Sequence, residues 1–287
     1  MNTHLHSRTD FLEHALRLAV WAGAAFCAGV FLYITGFIVI RGVPHLSPGL
    51  FAAVYTSENV SLLPALLATV YISALSLAIA APAGIAAAIY LAEYAPRRSK
   101  VVACIRVTAE TLAGIPSVVY GLFGMLCFVN FLGLGFSLVS GALTLSLMIL
   151  PLVMRAAEEA LRAVPDIWRE GSFALGAGRL RTVFAVTLPA ARPGILAGVI
   201  LAIGRVVGES AALIYTAGTV ARIPENPLQS ARTLAVHIYA LSSEGLHTDK
   251  AYATAAALLA LVLLINTAAA ALARRAGTPK GAAGGAA

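Results

Sequence analysis

Long stretches without a charged residue constrain this chain more than any other feature. Two runs extend from Leu18 to Ile40 and from Ala251 to Ala273, and two longer ones from Asn59 to Ala92 and from Thr111 to Met154. A membrane-spanning helix needs about 20 consecutive apolar residues, so the longest run must hold two spans. With 60% hydrophobic and 11% charged residues, the composition excludes a soluble globular domain and predicts an all-α, polytopic helical membrane protein.

Two breaks are expected inside the longest run. The Gly133-Leu134-Gly135 segment is the natural tip of a hairpin between its two spans. Pro116, close to Gly114, predicts a kinked helix. Small residues beside a kink allow another helix to approach closely, or allow backbone to line a cavity.

The basic residues predict the orientation in the membrane, because cytoplasmic segments carry an excess of Lys and Arg. Six spans with both termini in the cytoplasm place fifteen of the 20 basic residues inside, four outside and Arg205 within the membrane. The predicted organisation is a cytoplasmic tail, first span and outer linker over 1–60, a transmembrane domain over 61–273 and a disordered cytoplasmic tail over 274–287. Residues 222–250 are expected to form a polar loop on the outer side.

A basic cluster follows the second apolar run and marks the cytoplasmic side. It consists of Arg97, Arg98, Lys100 and Arg106. Glu110, at the cytoplasmic edge of the next span, is expected to pair with Arg106, one helical turn before it.

A charged, glycine-bearing loop lies between two apolar segments, from Arg169 to Pro189. Asp166 is placed to cap a helix N-terminus, apolar residues follow it, and Gly176 ends or bends that helix. A short amphipathic helix on such a loop suits insertion into a groove of a partner protein. The alternative that composition leaves open is a helix lying on the lipid headgroups.

Arg205 and Glu209 interrupt an otherwise apolar span. A charge near the middle of the bilayer costs roughly 2.5–3.5 kcal/mol on insertion scales, so such residues face a partner or a water-filled path. Their i, i+4 spacing predicts that the side chains meet, either on a substrate path or as a neutralised pair that only fixes packing. Gly204 and Gly208 form a G-x-x-x-G step for close approach of another helix.

Sequence motifs of catalysis are missing. None of the three lysines, Lys100, Lys250 and Lys280, stands in a G-x-x-x-x-G-K-[ST] phosphate loop, and the chain has no G-x-S-x-G or H-E-x-x-H pattern. We therefore expect a transport subunit that is not an enzyme and binds no metal or cofactor. The net charge of +7 is spread between apolar runs, so it indicates membrane topology and not a nucleic-acid partner.

The charged loop resembles a known motif of transporters. Glu170, Gly176, Leu188 and Pro189 have the spacing of the cytoplasmic EAA loop of ATP-binding-cassette (ABC) importer permeases. In that loop Glu-Ala-Ala precedes Gly by three residues, and Ile-x-Leu-Pro follows nine residues later. The resemblance implies that the loop, at about 158–192, docks on an ATPase.

This chain departs from the EAA pattern at three positions. Gly171 and Ser172 replace the two alanines, and Val186 replaces the isoleucine. The residues that the resemblance assigns to coupling with the ATPase are Arg169, Glu170, Gly171, Ser172, Phe173, Ala174, Leu175 and Gly176.

Four segments narrow the resemblance. Tyr90–Ala95, Ala113–Gly124, Gly208–Ala212 and Thr233–Tyr239 are similar to the permeases of the bacterial phosphate-specific ABC importer, the last to its PstA-type subunit. The resemblance covers roughly residues 60–273. It implies a type I ABC importer permease fold in the bacterial inner membrane and inward transport of inorganic phosphate.

The same resemblance implies partners that composition does not reveal. These are a second, homologous permease (PstC-type) forming a heterodimer, two copies of an ATP-binding subunit that hold ATP and magnesium, and a periplasmic phosphate-binding protein. The loop motif does not report the substrate, so a permease for molybdate, sulfate or a phosphonate is an alternative. An ion-coupled secondary transporter is a weaker one, because only Glu209 lies deep in a span and no repeat is evident.

Overall fold

The computed structural model describes residues 3–96 and 99–277 of the chain. Arg97, Arg98 and residues 278–287 of the predicted tail lie outside the described residues. The last helix continues to Gly277, past the predicted boundary at 273. In chain order the α-helices of the described part are α1 (Thr3–Gly42), α2 (Leu63–Ile89), α3 (Lys100–Ala113), α4 (Ser117–Gly124), α5 (Leu138–Arg162), α6 (Asp166–Ala174), α7 (Arg179–Thr182), α8 (Leu188–Val207), α9 (Ala211–Ile214), α10 (Leu234–Glu244) and α11 (Thr248–Gly277).

The described chain also contains short 3₁₀- and π-helical segments. Val43–His45 and Pro48–Phe51 form 3₁₀ turns after α1. Single π-helical turns follow α2 (Tyr90–Tyr94), α4 (Met125–Phe131) and α7 (Val183–Thr187). Such turns let a helix continue while its side chains change direction.

Five helical segments of the described chain are long and apolar enough to cross a bilayer, or six if the bent pair α3 and α4 counts as one broken span. This confirms an all-helical protein with the predicted number of spans by length and composition. The five are Leu16–His45, Leu63–Tyr94, Leu138–Arg162, Arg179–Val207 and Thr248–Ala271.

The predicted kink at Pro116 is a complete break. The two parts of that span, Lys100–Ala113 and Ser117–Phe131, meet at 100°. Proline has no backbone N–H and pushes the preceding residue toward an extended conformation, so the helix cannot pass through Ile115. The hydroxyl of Tyr120 donates to the carbonyl of Leu112 at 2.9 Å, which ties the two parts together across the break.

Helix α5 lies at the centre of the bundle. It packs against α2, α8, α3 and α4, and Leu145, Met148 and Ile149 are almost completely buried. In contrast, the apolar window of the first span has no buried residue, and α1 packs mainly against α11. The apolar surface of α1 therefore suits contact with lipid.

Small residues bring α5 and α8 together. A Cβ added at Gly198 would fall on the Cβ of Ala156, and one added at Gly194 would come within 2.7 Å of the Cβ of Ala160. A G-x-x-x-G step on α8 thus packs closely on alanines of α5. The Gly204–Gly208 step is not used in this way within the described chain, since a Cβ at Gly204 would meet nothing within 4 Å, and close approach of another helix there stays a prediction.

The predicted polar loop at 222–250 is also partly wrong, because it contains α10. The side chain of Thr233 caps this helix by accepting from the backbone N–H of Val236, and Gly245, at φ +69°, ends it. The Oγ1 of Thr69 on α2 accepts from the N–H of Leu234 at 2.9 Å. The end of the bundle at which α2 begins is therefore covered by the packed helix α10.

The α5–α8 contact generates a prediction. Gly198→Val should lower the free energy of unfolding by about 3 kcal/mol, because branched side-chain atoms must displace a packed helix. The same substitution at Gly204 should leave the stability of the isolated chain unchanged. Thermal or SDS unfolding of the purified chain in detergent measures both, and equal stability of the two variants would contradict the contact.

Candidate coupling loop and substrate path

The two ends of helix α6 are capped in different ways. Its N-cap is Pro165, with no side-chain cap, so the predicted capping role of Asp166 was wrong. Asp166 is the first helical residue, and its carboxylate pairs with Arg169 at 3.1 Å. At the other end the N–H of Gly176 donates to the carbonyl of Phe173, and the N–H of Ala177 donates to the carbonyl of Ser172. These two hydrogen bonds form a Schellman motif.

Gly176 occupies the position in that motif that favours glycine. Its φ is +82°, in the left-handed region that a side chain with a Cβ enters at a cost. The predicted end of the helix at Gly176 is confirmed.

Helix α6 presents apolar side chains on an otherwise charged loop. None of its residues is buried. Ile167, Trp168 and Phe173 are 70%, 52% and 46% exposed, and Leu175, just after the helix, is 91% exposed. This surface is free in the isolated chain and is suited to burial against something else.

Arg169 is turned in the opposite direction, toward the bundle. Its side chain is 14% exposed, and its Nη2 lies 2.8 Å from Oε1 of Glu93, whose side chain is 7% exposed. The guanidinium also donates to the carbonyls of Leu161 at 2.8 Å and Val164 at 2.7 Å. Arg169 therefore anchors α6 to the end of the second span.

Glu93 was missed as a functional residue in the sequence. It lies 76 positions from Arg169, so no local spacing relates the two. Its signal was a single acid within the π-helical segment Tyr90–Tyr94, at the end of a long uncharged run.

Two further ion-pair groups lie at the same end of the bundle. Oε1 of Glu158 on α5 lies 2.8 Å from Nε of Arg106 and 3.1 Å from Nε of Arg162. Glu110 pairs with Arg155 at 3.3 Å. The expected pair of Glu110 with Arg106 was wrong, because α3 packs on α5 and the nearly buried Glu158 takes Arg106 instead.

A cavity of about 510 Å³ lies between α6 and the end of the second span, beside the Arg169–Glu93 ion pair. Its wall is mostly polar and includes four arginines. Polar contacts around a cavity, and not an apolar core, therefore hold α6 in place. The lining residues are Leu91, Ala92, Glu93, Ala95, Arg106, Arg162, Asp166, Arg169, Phe173 and Arg179.

The expected pairing of Arg205 with Glu209 was wrong. Helix α8 ends at Val207, so the i, i+4 geometry no longer applies. Oε1 of Glu209 accepts from the backbone N–H of Ala212 at 3.1 Å, at the start of α9. Among the described residues no carboxylate lies within the 4.0 Å ion-pair distance of Arg205.

Arg205 lies on a face of α8 that no helix in the described part of the chain covers. Leu201 is 62% exposed, Gly204 has open space above it, and Gly208 is exposed while Arg205 is half-buried. These residues recur at helical spacing, so they share one side of α8. The arrangement is an open stripe that carries Arg205, a cation without an ion-pair partner among the described residues.

The family can now be stated from comparison with known proteins. Residues 80–277 match the family described as binding-protein-dependent transport system inner membrane component. The chain belongs to this family. It is therefore the membrane permease subunit of an ABC importer, and it crosses the membrane several times.

Two relatives cover nearly the whole chain. The probable ABC transporter permease protein YqgI of Bacillus subtilis is 38% identical over 267 residues, 86% of this chain and 90% of its own length. The phosphate transport system permease protein PstA of Pasteurella multocida is 32% identical over 279 residues, 92% of this chain and 95% of its own length.

A solved structure shows the fold. The bacterial alginate ABC transporter, in complex with an alginate pentasaccharide-bound periplasmic protein, has a chain similar to this one. The TM-score is 0.69 at 17% identity, with 94% of this chain and 98% of that chain covered. The fold is that of type I ABC importer permeases.

The buried clamp of α6 generates a second prediction. Glu93→Ala should lower the free energy of unfolding by about 3 kcal/mol, because it removes the buried carboxylate and leaves the Arg169 guanidinium with only the exposed carboxylate of Asp166 and backbone carbonyls. Glu159→Ala is the matched control: this residue also pairs with an arginine, at 3.9 Å, but its side chain is 74% exposed, so little change is expected. Unfolding of both variants in detergent decides, and equal losses would contradict the clamp.

Proposed function

We propose that this permease carries inorganic phosphate inward across the bacterial inner membrane, driven by ATP hydrolysis in partner subunits. The observation that carries the choice of substrate is the unpaired, half-buried Arg205 on the open face of α8. The similarity of nearly the whole chain to a PstA permease supports the same choice. Another oxyanion remains the alternative, because a guanidinium binds several of them.

The chemistry of Arg205 suits an anion that must be bound and then released. Phosphate near neutral pH carries one to two negative charges, and a guanidinium offers it planar, charge-assisted donors. Glu209 lies four residues after Arg205, beyond the end of α8, and accepts from the backbone N–H of Ala212. A change of the backbone after Val207 during transport would let it take over the guanidinium as the anion leaves, which keeps binding weak and avoids a bare buried cation.

Substitutions at this pair test the substrate path. Arg205→Gln should reduce phosphate uptake about 10- to 100-fold, the loss expected for charge-assisted hydrogen bonds, while the complex still assembles. Arg205→Lys should be nearly as poor, and Glu209→Gln should impair turnover more than assembly. Uptake of radiolabelled phosphate, sulfate and molybdate by cells carrying each variant provides the measurement.

Three outcomes would revise this assignment. If Arg205→Gln prevents the complex from forming, the residue fixes packing. Normal uptake by an assembled Arg205→Gln complex removes it from the path altogether. Uptake of sulfate or molybdate in preference to phosphate by the unmodified complex would reassign the substrate.

Three kinds of partner complete the proposed importer. The exposed apolar side chains of α6 would dock on a cytoplasmic ATP-binding subunit, present in two copies, which holds the ATP and magnesium. A second, PstC-type permease would cover the open face at Gly204 and Gly208. A periplasmic phosphate-binding protein would deliver substrate at the end of the bundle opposite α6, with both termini of this chain in the cytoplasm.

The docking role of α6 has its own test. Gly176→Val should abolish assembly with the ATPase or uncouple its hydrolysis from uptake, because valine at a φ of +82° disrupts the end of α6. Gly171→Ala is the control, since Gly171 is helical with open space around it and alanine stabilises the helix by about 0.5–1 kcal/mol.

Co-purification of the ATPase and the ratio of phosphate taken up to ATP hydrolysed distinguish the two variants. A Gly176→Val complex that assembles, hydrolyses ATP and transports normally would exclude docking by α6. In that case its apolar side chains would rest on the lipid headgroups.

A further inference from the structure

A second unpaired arginine lies at the end of the bundle opposite α6. Arg232 is only 7% exposed, and its Nε has no hydrogen-bond partner. Within the described part of the chain, no carboxylate comes within the 4.0 Å ion-pair distance of its guanidinium. Its backbone N–H donates to the carbonyl of Val220 at 3.0 Å, which fixes the base of the side chain.

An aromatic ring is the main partner of this cation. The central carbon of the Arg232 guanidinium lies 5.0 Å from the centroid of the Tyr55 ring. The attraction of a cation to a ring face is smaller than the cost of removing a guanidinium from water. The charge of Arg232 therefore remains mostly uncompensated within the part of the chain that the structure describes.

His237 adds neutral polar groups beside the arginine. It is completely buried, its ring meets the Tyr55 ring edge-on at 6.1 Å, and neither ring nitrogen has a hydrogen-bond partner. Burial of the ring is the main cause that lowers the pKa of His237 to about 4, and the positive charge of Arg232 is the second cause. The backbone of Val60 acts in the opposite direction and raises this pKa. A neutral imidazole offers one donor and one acceptor.

The segment that carries Tyr55 is held firmly. The side chain of Asn59 accepts from the N–H groups of Thr56 and Ser61 at 2.9 and 3.0 Å. Val60 has a φ of +47°, which a β-branched residue adopts only when its surroundings impose it. Tyr55 is thus positioned before any ligand arrives.

We propose that Arg232, held beside the Tyr55 ring, forms an outer site that binds phosphate before it reaches Arg205. The site rests on the proposed function. An oxyanion supplies the charge that Arg232 lacks, and it accepts from the guanidinium. Both ring nitrogens of His237 are enclosed, so the anion is recognised by Arg232 beside the Tyr55 ring, and His237 only supports that ring from its edge.

Ligand-induced stabilisation of the full chain in lipid nanodiscs measures this site, because a ligand that binds only the folded state raises its melting temperature. Inorganic phosphate should raise the melting temperature saturably at pH 7. Arg232→Gln should abolish most of the phosphate effect. Arg222→Gln is the matched control, since Arg222 lies near Arg232 in sequence but is exposed, and it should respond like the unmodified chain.

Two further variants separate the roles. Arg232→Lys keeps the charge and should bind phosphate about tenfold more weakly, which gives a readout even if Arg232→Gln does not fold. His237→Gln should still bind phosphate, because the Arg232 guanidinium is retained. Arg205→Gln should keep the phosphate-induced shift, because the outer site is intact.

Specific results would overturn the outer site. One is a phosphate-induced shift that is the same in Arg232→Gln or Arg232→Lys as in the unmodified chain. Another is no shift with phosphate but stabilisation by a second permease, since a carboxylate of that partner would then occupy Arg232. Failure of the unmodified complex to take up phosphate, measured separately, would instead refute the proposed function.

Discussion

The close contact of α5 with α8 is the interaction on which the rest of the structure depends. Apolar side chains gain little by leaving lipid, so helices in a bilayer associate through close packing. Here Gly194 and Gly198 provide it against the alanines of α5. Because α6 lies between these two helices in the chain, their contact determines where the loop that carries α6 lies and which side of α8 presents Arg205.

Arginines at the two ends of the bundle differ in their partners. Near α6, Arg106 and Arg169 have carboxylates at 2.8 Å and connect helices that are distant in sequence. Arg205 and Arg232 have no such carboxylate in the described chain. Buried or half-buried cations without counter-charges are costly, so we infer that the paired arginines hold the fold together and the unpaired ones await an anion or a partner subunit.

The sequence predicted the features that depend on local pattern. The uncharged runs predicted the membrane spans, Pro116 predicted the break between α3 and α4, and Gly176 predicted the end of α6. The sequence did not predict where a helix stops or which distant residue faces it. Helix α8 ends at Val207, so Arg205 does not meet Glu209. Glu93, from a helix distant in sequence, pairs with Arg169. Both G-x-x-x-G steps on α8 look alike in sequence, and only packing tells them apart.

Phosphate uptake into proteoliposomes tests the central claim most directly. The chain is reconstituted with the homologous permease, and with or without a subunit that carries a P-loop, in the presence of phosphate-loaded binding protein. We expect uptake only when the P-loop subunit and ATP are both present. Uptake that proceeds without ATP and follows an ion gradient would contradict the claim and indicate a secondary transporter.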